Sequence, residues 1–316
     1  MKKTSITNRI IWIIIAFFLL YILLADTLML LFMDAVHLLI PYPSNAMSFV
    51  LEYYAPTIMA VVVFLLTCLI FKKNRFMLGQ MKPTRESRSM RMLWYGILLG
   101  FLTNFFCIII AMLHGDIKFY YDFLASDIPV MIFAFICVFI QSTSEELWCR
   151  GFLYERINIH YPVWVAILIN GVLFGLMHCF NDGVTPLAIA DIAMCGIAYS
   201  LLRWYSGSIW ICFGVHTMWN FTQNFLFGLP NSGLVSEASV LHLDAVNGMS
   251  NMFYSYEFGV EGAWPAVFID TLLAVVVLWL GWRDGRLGEL LQSRESRGEV
   301  AMKAPKEEPV VEFPGD

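Results

Sequence analysis

The amino-acid sequence predicts an all-α protein, a polytopic bundle of transmembrane helices, on three observations. Of its 316 residues, 59% are hydrophobic and 14% charged, whereas soluble domains carry about 25% charge. The mean hydropathy is +0.68, and several apolar runs reach the ~20 residues that a helix needs to cross a bilayer. The basic residues fall almost entirely between alternate runs, as they do when one side of a membrane protein faces the cytoplasm.

The apolar runs lie near residues 10–33, 50–71, 92–113, 128–148, 162–180, 187–204, 208–228 and 263–282, which predicts about eight spans. The first follows a short basic start, Met1–Arg9, in the manner of a signal peptide. No small-residue cleavage site follows it, so it reads as an uncleaved span. The second ends at Lys72-Lys73, and the third begins after Arg91; the basic stretch between them is accounted for by its cytoplasmic position. The fourth and fifth are joined through the break His160-Tyr161-Pro162, and the seventh begins after Ser206-Gly207. With the N-terminus inside, nineteen of the twenty lysines and arginines are cytoplasmic and only Lys118 is external. That bias supports the span count and places the N- and C-termini in the cytoplasm.

This reading divides the chain into helices 1–3 (residues 1–127), a core of four helices (128–228), an external loop (229–262), an eighth helix (263–282) and a tail (283–316). The loop carries no basic residue, and the sequence leaves open whether it packs over the external face or moves. The tail is charged, with prolines at 305, 309 and 314, and reads as a short helix followed by disorder. The seven cysteines, all within or beside apolar runs, form no CxxC pair. They read as small buried hydrophobes.

Ionisable groups at membrane depth are costly, and each one is a functional hypothesis by default. Asp26, Asn104, Gln141, Asp191 and Asp270 are each expected to hydrogen-bond across helices, and Asn170-Gly171 to mark close helix packing. Three places stand apart. In Glu145-Glu146-Leu147-Trp148-Cys149-Arg150, Glu146 and Arg150 are four apart on one helix face, in the favourable order for an ion pair. Glu145 points about 100° away and is left without an intrahelical partner. A partly desolvated carboxylate of this kind suits proton transfer. In Phe174-Gly175-Leu176-Met177-His178, the phenylalanine can orient the imidazole one turn on. In His216-Thr217-Met218-Trp219-Asn220, an imidazole and a carboxamide share a face.

Helix rise brings these together. Glu145 and His178 lie at similar distances either side of the break at 160–162, hence at similar depth at ~1.5 Å per residue. His216 reaches that depth if the hairpin of the fourth and fifth spans projects into the cytoplasm. The expected meeting point is a chamber inside the bilayer, toward the cytoplasmic face.

The motifs Glu-Glu-x-x-x-Arg, Phe-x-x-x-His and His-x-x-x-Asn, in this order from Ile128 to Phe227, resemble the CPBP intramembrane proteases. That family includes the CAAX prenyl endopeptidase type and the bacterial bacteriocin-immunity (Abi) type. The resemblance implies hydrolysis of a peptide bond in a membrane-associated or lipidated substrate. It implies that Glu145 activates the attacking water, helped by His178, and that His216 and Asn220 stabilise the oxyanion. Glu146, Arg150 and Phe174 would support the site. It also implies an integral protein of the bacterial plasma membrane, with the bilayer and a membrane-associated peptide as partners and no nucleic acid.

Two questions stay open at this point. Glu145, His178 and His216 are legitimate zinc ligands and would make a three-residue catalytic shell, whereas a glutamate-activated water also works without metal. The His-Glu-x-x-His helix of zincins is absent. The alternative function is a non-catalytic immunity or regulatory partner in the membrane. A transporter is disfavoured, since no inverted repeat or matched pair of broken helices is present.

Overall fold

The computed structural model describes residues 6–39, 45–83, 88–121, 123–236, 238–246 and 248–298. Of the tail at 283–316, expected to be a short helix followed by disorder, a short helix stands at Leu287–Leu290, and residues 299–316 lie outside the described residues. All eight apolar runs are helical. We label them α1 (Arg9–Leu39), α2 (Asn45–Ile70), α3 (Ser89–His114), α4 (Ala125–His160), α5 (Val163–Met177), α6 (Pro186–Ser206), α7 (Trp210–Phe221) and α8 (Trp264–Arg283). Two strands, β1 (Ile117–Tyr120) and β2 (His242–Ala245), pair antiparallel. The chain is an integral membrane protein built as a helical bundle. Six helices, all but α5 and α7, are long and apolar enough to cross a bilayer.

The outward faces explain the apolarity. Leu23, Leu66, Trp94, Leu98, Leu168 and Val275 are exposed, a pattern suited to lipid and costly in water. α7 is different: every residue from Ile211 to Val215 is buried, and so are Trp219 and Asn220. It is a core helix, packed chiefly against α3 and α4 and also against α6.

Glycine makes the close approaches to α7 possible. A Cβ on Gly96 would stand 2.2 Å from the Ile211 carbonyl oxygen, and one on Gly100 the same distance from that of Val215. Facing them, a Cβ on Gly214 would meet the Leu93 carbonyl at 2.3 Å. Backbone therefore lies on backbone, the small-residue packing that lipid-embedded helices use in place of a hydrophobic drive. α5 and α6 meet similarly at Gly171, Gly175 and Gly196, where a Cβ on Gly196 would lie 2.9 Å from Gly171 Cα.

The long segment after α7 packs down over one end of the bundle. Val240, Leu241 and Leu243 donate backbone hydrogen bonds to the carbonyls of Phe225, Leu226 and Phe227. Leu229, Tyr254, Phe258 and Val260 of this segment are buried. This covered end also carries Lys118, in β1. The other basic residues described here lie at or toward the opposite end, where α1 begins and α8 finishes.

Candidate active site

The site is built around the lower half of α4. Its regular turns run from Ile128 to Glu146 and give way to a wider, π-helical segment at Leu147–Leu153. Such segments occur where function or a neighbour interrupts the regular ladder. Here Asn170 of α5 donates its carboxamide N–H to the Cys149 carbonyl, and Trp148 Nε1 donates to the Ala60 carbonyl of α2 at 3.0 Å. The segment is thus tied to two other helices, by a side chain of α5 and a backbone carbonyl of α2.

Glu146 and Arg150 are both fully buried, and Arg150 Nη1 donates to Glu146 Oε1 at 2.8 Å. The guanidinium also donates to the Gly196 carbonyl at 3.1 Å and lies 4.5 Å from the Phe174 ring centre. Glu146 Oε1 has a second partner, His216 Nδ1, at 2.9 Å. A carboxylate only accepts, so Nδ1 carries the proton and His216 turns its Nε2 toward Glu145, 3.7 Å from Oε2. Glu146 therefore joins Arg150 to the orientation of His216, a link that sequence spacing alone did not disclose.

Glu145 differs from the expectation of an acid without an intrahelical partner. Gln141, one turn earlier, donates Nε2 to Glu145 Oε1. The other oxygen, Oε2, has no hydrogen-bond partner. Gln141 Oε1 in turn accepts from Asn220 Nδ2 at 3.2 Å, so one carboxamide spans from the acid on α4 to the amide on α7. The i,i+4 spacing of Gln141 and Glu145 was the available signal for this role.

His178 ends α5, with Nδ1 donating to the Phe174 carbonyl at 2.9 Å. That fixes the tautomer and leaves Nε2 as an acceptor. The Phe174 ring meets His178 edge-on at 5.1 Å and His216 at 5.9 Å, separating and orienting the two imidazoles.

Glu145, His178, His216 and Asn220 all line one cavity of about 230 Å³. Its position differs from the expectation of a chamber toward the end of the bundle that carries the basic residues. Asn231, Ser232 and Glu261, from the segment that covers the end of the bundle, also line it. The cavity is therefore at the end opposite the basic residues. Between Glu145 and His160, the side chains of Leu147, Leu153 and Ile157 are buried in the core. Glu145 stands roughly 22 Å from His160, most of the ~30 Å hydrocarbon thickness.

The covering segment adds a group that the sequence reading missed. The Glu261 carboxylate accepts from Trp219 Nε1 (2.8 Å), Asn231 Nδ2 (2.9 Å), Ser232 N (2.9 Å) and Ser232 Oγ (2.7 Å). Burial pushes its pKa above the usual glutamate value, while the Ser232 and Trp219 hydrogen bonds oppose that rise. Asn231 also donates to Asn220 Oδ1 at 3.4 Å, tying the cover to α7. Nothing local marks Glu261, since it is one acid in a long polar loop.

The expected cross-helix hydrogen bonds form in part. Asn104 Nδ2 donates to Gln223 Oε1 at 2.8 Å. Asp191 and Asp270, both buried cavity residues, make none among the described residues, and Asp191 Oδ1 has no partner.

A zinc shell would need Glu145, His178 and His216 converging on one point. Among the described residues no three His, Cys, Asp or Glu side chains form such a cluster. His216 Nδ1 is committed to Glu146 and His178 Nδ1 to Phe174. Those bonds leave both Nε2 atoms and Glu145 Oε2 free, as ligands to an ion would be, but among the described residues the three groups are not gathered on one point, and no step below is routed through an ion.

Residues 127–222 match the protein-family model described as type II CAAX prenyl endopeptidase, Rce1-like. The chain is also 26% identical over 216 residues to a Bacillus subtilis (strain 168) protein described as "Uncharacterized protein YyaK". That alignment covers 65% of this chain and 68% of the relative. No solved structure matches the chain. The matched stretch runs from the start of α4 through Asn220 and so contains all three motifs; over it, this chain is similar to the Rce1-like sequences of the CPBP family.

Proposed function

We propose that this protein is an intramembrane endopeptidase that hydrolyses a peptide bond of a membrane-associated or lipidated substrate, using a water activated by Glu145. The observation that carries this reading is the division of labour within the Glu145 carboxylate. Oε1 is fixed by Gln141 while Oε2 is unpartnered, in a cavity shared with two imidazoles of defined tautomer and a carboxamide.

In the reaction, Glu145 takes a proton from water as the oxygen attacks the scissile carbonyl carbon. His178 Nε2 accepts the water's second hydrogen and aligns it. The carbonyl π pair moves onto oxygen, where Asn220 Nδ2 and a protonated His216 Nε2 donate to it. On collapse the C–N bond breaks, and the proton held by Glu145 passes to the leaving nitrogen. The products are a new carboxyl and a new amine. An oxyanion donor contributes about 2.7–4 kcal/mol in soluble proteases. Glu146 and Arg150 are positioning residues that act through His216. With the basic end inside, the substrate reaches the cavity from the external half of the bilayer.

Comparative membrane proteomics of cells carrying wild type or Glu145→Gln tests the proposal. The expected result is a membrane protein that accumulates uncleaved in the variant, with the same folded yield of both chains. Identical membrane proteomes and phenotypes would overturn it in favour of the non-catalytic partner role.

A further inference from the structure

A second cavity, of about 700 Å³, lies at the basic end of the bundle, remote from the Glu145 chamber. It opens between the first turns of α1, the end of α2 and the end of α4. Arg9, Lys72, Lys73, Arg156 and His160 line it, and no Asp or Glu does. Among the described residues, the ion pairs of arginine and lysine involve Arg150, Arg203, Arg283, Arg286 and Arg294. Arg9, Lys72, Lys73 and Arg156 have none. Four cations thus gather at one mouth with no ion-pair partner among the described residues; Arg9, Lys72 and Lys73 are exposed and Arg156 is half-buried, so an anionic headgroup can reach all four.

The rest of the cavity is apolar and elongated. Trp12, Ala16 and Leu20 follow Arg9 at helical spacing along one face of α1, opposite Ile70, Phe71 and Phe152. From Arg9 to Leu20 the helix rises roughly 17 Å, close to the ~15 Å depth of one leaflet's hydrocarbon. Cations gather at the bundle end and the apolar wall runs inward from them. A phosphate and an acyl chain have the same polarity and length.

We propose that this cavity binds one anionic phospholipid from the leaflet at the basic end, its phosphate against Arg9, Lys72, Lys73 and Arg156 and one acyl chain along α1. A zwitterionic lipid would leave the cations uncompensated. A soluble phosphate would leave the Trp12, Leu20 and Phe152 walls facing water. The proposal involves none of the groups assigned to hydrolysis and stands or falls separately from the protease reading.

Native mass spectrometry of the full chain tests it, in detergent with equimolar phosphatidylglycerol and phosphatidylcholine of identical chains. One phosphatidylglycerol is expected to remain bound per protein, with phosphatidylcholine retained at least about fivefold less. Arg156→Gln should lower that retention about fivefold and Lys72→Gln/Lys73→Gln further. Arg91→Gln, at the same end but outside the cavity, should leave it unchanged. Equal retention of the two lipids by the wild type, a comparison that needs no variant, would overturn the proposal. So would an equal loss with Arg91→Gln, which would indicate diffuse surface attraction. Displacement of the lipid by millimolar inorganic phosphate would also overturn it, by showing a phosphate site indifferent to the acyl chain.

Discussion

Replacing Glu146 by glutamine tests how the site is held together. In the wild type its Oε1 accepts from both Arg150 and His216, and both members of the ion pair are fully buried. The substitution keeps an amide oxygen that can still accept but removes the counter-charge, leaving the buried guanidinium with neutral partners only: that amide, the Gly196 carbonyl and the Phe174 and Tyr199 rings. Breaking one side of a buried pair costs about 3–5 kcal/mol, because an uncompensated charge remains. In a chain of this size that corresponds to a fall in melting temperature on the order of 10 °C. The assay is thermal unfolding in detergent alongside cleavage of the identified substrate. The double variant Glu146→Leu/Arg150→Met removes both charges and is expected to recover most of the stability, as apolar replacement of buried pairs often does. It does not restore an acceptor for His216 Nδ1, so cleavage stays low. A Glu146→Gln protein as stable as wild type would refute the reasoning about the pair. Recovery of cleavage in the double variant would refute the assignment of Glu146 to positioning His216.

Three further outcomes follow from the geometry. Asn220→Ala removes an oxyanion donor and one anchor of Gln141, and should lower kcat by about 10²–10³ with little change in KM; a KM effect alone would make it a binding residue. Gly100→Val places two methyl groups against the Val215 carbonyl, where even a Cβ would lie at 2.2 Å. It should force α3 from α7 and cost several times the 1–3 kcal/mol of ordinary overpacking, seen as loss of folded protein after detergent extraction, whereas exposed Leu98→Val should be tolerated. Exhaustive dialysis against EDTA and phenanthroline should leave the rate unchanged; loss of activity that zinc restores would require a rearranged Glu145, His178 and His216 shell.

Much of this protein was legible locally. Apolar run length and the one-sided placement of basic residues determined a helical membrane bundle, because the bilayer imposes both constraints segment by segment. Spacing of four residues determined the Glu146–Arg150 pair and the Phe174–His178 contact, since on a helix such neighbours meet whatever lies around them. Counting helix rise from the break at 160–162 gave Glu145 and His178 a common depth. It did not say which end of the bundle that depth adjoins. That was decided by burial of the turns between Glu145 and His160 in the core, and by the covering segment that carries Asn231 and Glu261 into the cavity.

Partner choice was likewise a tertiary matter. His216 could have faced either glutamate from sequence alone. It bonds Glu146 because Gly96, Gly100 and Gly214 let α7 lie directly on α3, fixing its place beside α4. The sequence alone determined which chemical groups enter the membrane and on which helices. Only the packing of those helices decided which carboxylate faces the cavity, because that depends on contacts between segments tens of residues apart.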